Sequence, residues 1–356
     1  MRSLISALLL QKRKVPDRRS DFFLKQILTI TLNPTIDRST SVDRVIPERK
    51  LRCRAPADEP GGGGINVSRA IRKLEGYSSA VYSSGGPFGR LLQDMLTAEG
   101  VDHYPVSISG WTRENLIVLE ETTGQQFRFG MPGPHLEENE WRNILDRITD
   151  CGHPSGFIIF SGSFPTFGVE EQFFRDLAGI VRDLGSRLII DTSGEALRRA
   201  VRYGSYLIKP NMTELRELAG RDIGDESDLE DAAAALIEKG WSEAVVVSLG
   251  AAGALLKTRD MTERLRAPTV PIRSKVGAGD SMVAGIALSL ARGQTLSEAV
   301  RFGVAAGASA VMTPGSELCR KEDTERLFKL ISGRPPARAG ISTPPDEQVQ
   351  FKGGYT

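Results

Sequence analysis

Lys275–Gly285 reads KVGAGDSMVAG, which sets Gly277, Ala278 and Gly279 directly ahead of Asp280. The spacing Val283, Ile286, Ala287, Leu290 predicts a helix, so these small residues fall at its N-terminus. Backbone N–H groups are unpaired there, and small side chains let an anion approach them, as a transferring phosphoryl group requires. A carboxylate beside such a cradle can accept the proton of a hydroxyl nucleophile. The competing assignment is that Asp280 caps its own helix.

A second glycine cluster, PGGGGINVSRA at Pro60–Ala70, runs into a helix marked by Val67, Ala70, Ile71 and Leu74. Its glycines bring backbone amides up to a polar ligand, and Asn66 either caps the helix or bonds a hydroxyl. The loop lacks the Gly-Lys-Ser/Thr of a Walker A motif and the G-x-G-x-x-G of a dinucleotide fold. In KPNMTEL (Lys209–Leu215), Asn211 and Glu214 stand three apart. They either hold Mg²⁺ through its waters or cap a helix. SLGAAG (Ser248–Gly253) ends an apolar run, where α/β folds commonly place nucleotides, or is a plain strand–turn–strand. Asp37 fixes sugar hydroxyls or solvates a turn. Lys50, Arg52 and Arg113 are cations near a predicted lid, and the Arg113 guanidinium fork suits a phosphate.

These residues need a scaffold. Short β-rich runs recur at Ile27–Leu32, Ala80–Ser83, Phe157–Ser161, Arg187–Asp191, Tyr206–Lys209 and Ala244–Leu249, several nearly all apolar. Strands of that kind are buried on both faces. Helical spacing lies between them, as at Leu229, Ala232, Ala233 and Leu236. The alternation predicts an α/β fold with a largely parallel sheet between helices. Leu116–Glu120 and Gln126–Phe129 flank ETTGQ as a hairpin, which with Val42–Ala55 forms a small separate sheet or else edges the main one.

The chain has 356 residues, 46 Lys+Arg against 45 Asp+Glu, and 40% hydrophobic residues. Balanced charge argues against a nucleic-acid partner, and no run is long and apolar enough to span a membrane. Cys53, Cys151 and Cys319 lie far apart and fit a reducing, cytoplasmic setting rather than a disulfide framework. His103, His135 and His153 show no zinc-site spacing. Residues 1–26 read as an N-terminal extension and the Pro/Gly-rich residues 333–356 as a disordered tail.

Two signatures, PGGGGINVSRA and VGAGDSMVAG, resemble those of the PfkB/ribokinase family of carbohydrate kinases, and the likeness runs from about Ile27 to Ile331. TLNPTIDRS, KLRC, WTREN, SGSFP, DTSGEAL, KPNMTEL, VSLGAAGA and RFGVAAGASAV resemble its phosphosugar branch, nearest to the PfkB-type ATP-dependent 6-phosphofructokinases. The resemblance implies a ribokinase-like three-layer sandwich over 27–332, with a β-sheet lid from about 41–58 and 101–131 that pairs subunits into a homodimer. It implies ATP-dependent phosphorylation of fructose 6-phosphate at its C1 hydroxyl. The alternatives are a 1-phosphofructokinase or tagatose-6-phosphate kinase and, more remotely, a non-catalytic sugar-phosphate sensor.

On this likeness Asp280 is the base, Gly277, Ala278 and Gly279 form the anion hole, and Asp37, Gly62, Gly63 and Asn66 contact the sugar. Arg113 and Ser163, with Lys50 and Arg52 nearby, address the substrate phosphate. Lys209, Asn211, Ser248, Gly250 and Gly253 line the ATP site and Glu214 organises Mg²⁺. A K⁺ site uses backbone oxygens around Ser274, Val276, Ala310, Thr313 and Gly315. The chain departs from the family at Lys275, where relatives usually carry Thr, and at Pro314 and Glu317 near the cation loop.

Overall fold

The computed structural model describes residues 26–165, 171–315 and 317–333. Residues 1–25 and 334–356, which hold the extension and tail read above, lie outside them. In chain order the elements are β1 (Ile27–Thr31), β2 (Thr35–Val42), β3 (Ala57–Gly61), α1 (Gly63–Lys73), β4 (Ser79–Ser84), α2 (Gly86–Ala98), β5 (Asp102–Ser107), β6 (Arg113–Glu120), β7 (Gln126–Phe129) and α3 (Glu138–Cys151). There follow β8 (Phe157–Ser161), α4 (Glu171–Asp183), β9 (Arg187–Asp191), α5 (Gly194–Ala200), β10 (Leu207–Ile208), α6 (Met212–Ala219) and α7 (Glu226–Glu238). The chain continues through β11 (Ala244–Ser248), β12 (Ala254–Thr258), β13 (Thr262–Leu265), α8 (Ala278–Ala291), α9 (Leu296–Val311) and α10 (Lys321–Ser332).

The central sheet runs β13-β12-β11-β10-β9-β8-β1-β4-β5. It is parallel from β11 through to β5, and β12 and β13 are added antiparallel at one edge. Successive residues of each inner strand serve opposite faces. Leu28, Ile30, Ile158, Phe160, Leu188 and Ile190 pack under the layer of α3 to α7. Ile27, Phe157, Ile159 and Ile189 pack under α1, α8, α9 and α10. Burial on both faces is why these strands are apolar throughout.

Two features of this frame prepare a site. From β1 the chain steps outward to β4 and β5, then returns to the other side of β1 at β8. The order of succession therefore reverses between β1 and β8, and a crevice opens at their C-terminal ends. In addition, every residue of α8 from Ser281 to Ala291 is buried. A helix apolar all round must lie inside. Gly285 permits this by close contact with α9: a Cβ there would stand 2.9 Å from the Gly303 Cα.

The small sheet runs β3-β2-β6-β7, separate from the main one. The ETTGQ hairpin is its β6–β7 turn, but the lid boundaries expected from sequence need correction. Residues 43–56 contain no strand, and β2 and β3 lie largely outside the 41–58 range. Residues 102–107 form β5, which pairs with β4 at the edge of the main sheet. The β3 sequence ADEPG has no strand signature. It is held as an edge strand, where a proline is tolerated, by antiparallel pairing to β2. Among the described residues no helix is long and apolar enough to cross a membrane.

Trp141 of α3 is 1% exposed and meets the Phe173 ring edge-on, with centroids 6.2 Å apart. Trp141→Ala should lower unfolding free energy by about 3–5 kcal/mol, read from the midpoint of urea denaturation.

Candidate active site

Asp280 sits in the first turn of α8 without capping it: the cap is Gly277, and no side chain bonds the helix start. Its carboxylate is free to face the crevice, and Oδ2 accepts a hydrogen bond from Asn66 Nδ2 of α1 at 3.0 Å. Asn66 is buried within α1 rather than capping it, since Gly62 holds the cap position. Burial, and then the negative charge of Asp191, push the Asp280 carboxyl up to about 6, while Asn66 and Lys209 act to hold it down. A carboxylate poised there is ionised at neutral pH yet basic enough to take a proton from a bound alcohol.

The loop expected to form the anion hole has a fixed backbone: Gly277 has φ +70°, a conformation that favours glycine. The position a Cβ would take at Gly279 is 3.5 Å from Lys209 Nζ, which places an ammonium beside the loop. Lys209, only 6% exposed, is ion-paired to Asp191 Oδ1 at 2.9 Å. Burial acts to lower its pKa, but Asp191, Glu214 and Asp280 outweigh that and raise it, so the cation persists. Asp191 ends an apolar strand run, and that position is the signal that would have marked it for the site.

Asn211 and Glu214 answer the alternative posed by their spacing: they form a capping box on α6. Asn211 Oδ1 accepts from Glu214 N at 2.9 Å and Glu214 Oε2 accepts from Asn211 N at 2.8 Å. Burial raises the Glu214 pKa, with Asn211 and Lys209 opposing. The cap spends one oxygen and orients the carboxylate beside Lys209. No group of three metal-ligating side chains occurs among the described residues. Mg²⁺ bound through phosphates, waters and one carboxylate needs no such group, so Glu214 fits that role.

The lid completes the other side. Asp37 of β2 lies opposite Asn115 of β6 in the register, and Asn115 Nδ2 donates to Asp37 Oδ1 at 2.8 Å. Burial raises the Asp37 pKa against that bond and the Arg113 charge. Arg113 donates to Ser163 Oγ at 3.2 Å and to the Asn33 carbonyl at 3.4 Å, which brings the two expected phosphate-end residues together. Arg113 Nε, Asn33 Oδ1 and Ser161 Oγ are buried without a hydrogen-bond partner, as suits a site that receives a polar ligand. Gly62 has φ +115°, and a Cβ on Gly63 would strike the Gly162 backbone. The glycine run thus lets α1 start directly against the end of β8.

Asn211, Ser248 and Gly250 line a cleft of about 610 Å³ with Ile223, Leu229 and Leu249, a mixture of polar rim and apolar wall suited to a nucleotide. Gly253 does not join them. It is buried with φ +95° against the Leu265 carbonyl, as the β11–β12 turn demands. The cation-loop segments do meet: Arg273 N and Ser274 N donate to the Val311 carbonyl at 2.8 and 3.3 Å. The Ala310 carbonyl already accepts from Thr313 N and Oγ1 at 3.2 and 2.7 Å. Val276 N bonds Ser274 Oγ, and Gly315 is exposed with φ +58°. Glu317 is engaged by Arg320 at 2.7 Å and is not a spare ligand for an ion.

Lys50 and Arg52 are exposed on the 43–56 loop and, among the described residues, make no hydrogen bond or ion pair to Arg113 or Ser163. The sequence placed them near the phosphate end through proximity to the lid, which a strandless loop does not enforce. Lys275 is likewise exposed. The reading from sequence assigned no role to Asn33 or Asn115, although each lies within a motif or just past a strand.

The raised Asp280 pKa has a stability consequence. Its folded value of about 6 exceeds the ordinary 3.8, so the parent loses stability as pH rises through that interval. Asp280→Asn should therefore raise Tm above about pH 6, with the gain fading to nothing near pH 4, as followed by calorimetry in matched buffers.

The chain matches the pfkB family carbohydrate kinase profile over residues 30–323. It is 43% identical over 307 residues to ATP-dependent 6-phosphofructokinase isozyme 2 of Mycobacterium tuberculosis, covering 86% of this chain and 90% of that one. To the isozyme 2 of Escherichia coli it is 41% identical over 308 residues, covering 86% and 99%. The crystal structure of phosphofructokinase-2 from E. coli in complex with potassium superposes with a TM-score of 0.84 at 41% identity, over 87% of this chain and all of that one. The same protein in complex with fructose-6-phosphate gives 0.82 at 40% identity over the same shares. The profile match and these relatives show that the chain belongs to the pfkB family of carbohydrate kinases.

Proposed function

We propose that this kinase transfers the γ-phosphoryl group of Mg-ATP to the C1 hydroxyl of fructose 6-phosphate, giving fructose 1,6-bisphosphate and ADP. The observation that carries this reading is that Asp280, bonded to Asn66 beside the Gly277–Gly279 loop, and Arg113, bonded to Ser163, are linked through Asp37, which feels the Arg113 charge and whose own charge is felt at Asp280. The isozyme 2 relatives at 41–43% identity support the choice of acceptor.

In this mechanism Asp280 accepts the C1 hydroxyl proton as the oxygen attacks the γ-phosphorus in line. The bond to the bridging oxygen of ADP breaks as the new one forms. Backbone N–H groups of Gly277–Gly279 and the Lys209 ammonium offset charge on the transferring group. Arg113 and Ser163 hold the 6-phosphate, and Asp37 and Asn66 hold sugar hydroxyls. Asn211, Ser248 and Gly250 seat the nucleotide, and Glu214 would hold Mg²⁺, which when bound would supply positive charge against the phosphates. Positioning and electrostatics carry the rate, since phosphoryl transfer asks for little covalent chemistry. The loops around Ser274, Val276, Thr313 and Gly315 would hold K⁺ through backbone oxygens; the E. coli relative is described in complex with potassium.

Ile46, Leu119 and Phe129 are large apolar side chains exposed on the lid, and pairing of two copies there would cover them. The E. coli relative is described in a tetrameric inhibited form; a lid-paired dimer is the unit proposed here. Three free cysteines suit the reducing cytoplasm.

An ADP-release assay with Mg-ATP against fructose 6-phosphate, fructose 1-phosphate and tagatose 6-phosphate, with and without K⁺, tests the assignment. The highest kcat/KM is expected for fructose 6-phosphate; preference for either other sugar reassigns the acceptor, and no turnover indicates a sensor. For the parent, kcat should fall as pH drops through about 6, where Asp280 protonates. Asp280→Asn should cut kcat by roughly 10²-fold or more. Arg113→Ala should raise KM for fructose 6-phosphate by at least about tenfold while leaving KM for unphosphorylated fructose nearly unchanged.

A further inference from the structure

Arg69 lies on α1, one turn beyond Asn66, and is only 4% exposed. A guanidinium so enclosed must be paired, and it is. Nε and Nη2 donate to the two Glu99 oxygens at 2.7 Å each, a bidentate fork reaching the end of α2. Nη1 donates to the Pro60 carbonyl at 2.8 Å and to Asn66 Oδ1 at 3.4 Å. The Asn66 amide therefore has a cationic donor at its oxygen end and the Asp280 carboxylate, 3.0 Å away, at its nitrogen end.

We propose that Arg69, locked by Glu99, is a positioning residue that fixes which end of the Asn66 amide faces Asp280. The inference rests on the reading of Asp280 as the base. A carboxamide carries two donors on nitrogen and only acceptor capacity on oxygen. Turned the other way, Asn66 would set its N–H groups against the guanidinium and its oxygen against the carboxylate, both repulsive. With Arg69 in place the N–H bond holds one oxygen of Asp280 and leaves the other for the substrate hydroxyl. Arg69 reaches no ligand itself: it is buried and each of its three nitrogens donates inside the protein. The groups that bear on Asp280 are Asp191 of β9, Lys209 after β10, Asp37 of β2 and Asn66 of α1. Of these, Asn66 is hydrogen-bonded by Arg69, and the Arg69 charge also acts to lower the Asp37 carboxyl.

Arg69→Met removes the donor at similar side-chain length. The double variant Arg69→Met/Glu99→Leu replaces the whole ion pair with apolar groups, an exchange that buried pairs commonly tolerate. Each is assayed for kcat against pH with fructose 6-phosphate, beside Asp280→Asn and a thermal melt. We expect the acid-side midpoint of kcat to rise by about 0.5–1 pH unit, with kcat at pH 6 down roughly two- to fivefold and a much smaller loss above pH 8. KM for ATP should not move. A merely structural role would lower Tm without displacing that midpoint. If either variant is folded and its pH profile superposes on the parent while Asp280→Asn is inactive, the positioning role is wrong and the base assignment stands. Should Asp280→Asn retain near-normal kcat, the base assignment itself fails. If the single variant does not fold, the double variant decides.

Discussion

Everything at the site depends on one buried ion pair. Lys209 and Asp191 stand 2.9 Å apart at the C-terminal edge of the central sheet, and Asp280 and Asp37 lie close enough for their charges to be felt. Three carboxylates gathered in a crevice repel one another and resist desolvation. A single enclosed ammonium makes the cluster tolerable, and breaking such a pair costs about 3–5 kcal/mol. The topology makes the pair unavoidable: β9 and β10 are parallel neighbours, with Leu207 beside Ile189, so the residues at their ends emerge side by side. The balance leaves Asp280 between ordinary carboxylate behaviour and neutrality, and Lys209 keeps its charge next to the anion hole.

Two parts of the fold then divide the work. Helix α8, buried from Ser281 to Ala291, carries Asp280, the proposed base, in its first turn on an element that cannot shift without disturbing the core. The small sheet carries Asp37, Asn115 and Arg113 on adjacent strands, in a register that sets the first two opposite each other. The proposed base is thus mounted on rigid core, while Asp37, Asn115 and Arg113, proposed to serve the acceptor side, hang on a separate sheet.

How much of this could be read in the sequence follows from how local each signal is. The inner strands declared themselves because burial on both faces demands an unbroken apolar run, as in FIIFS and AVVVS. Asp280 and its glycines were legible because a helix N-terminus needs small residues to admit an anion. The lid strands β2 and β3 were not, since TIDRSTSV and ADEPG owe their conformation to pairing partners rather than to their own composition. Asp191, Asn115 and Arg69 stayed hidden for a related reason. Their importance lies in contacts across 18 to 78 residues of chain: Lys209 to Asp191, Arg69 to Glu99 and Asn115 to Asp37. The Asn211–Glu214 spacing carried both readings at once, because a capping box and a carboxylate turned toward a metal use the same two residues.

The proposed mechanism rests on an Asp280 carboxyl raised first by burial and then by the charge of Asp191, with Asn66 and Lys209 opposing. Its most direct test is the side-chain carboxyl ¹³C titration of Asp280 in aspartate-labelled protein, assigned by comparison with Asp280→Asn. The account predicts a midpoint near 6. A midpoint at the ordinary aspartate value, about 4, would mean that neither burial nor Asp191 governs this carboxylate, and would contradict the account.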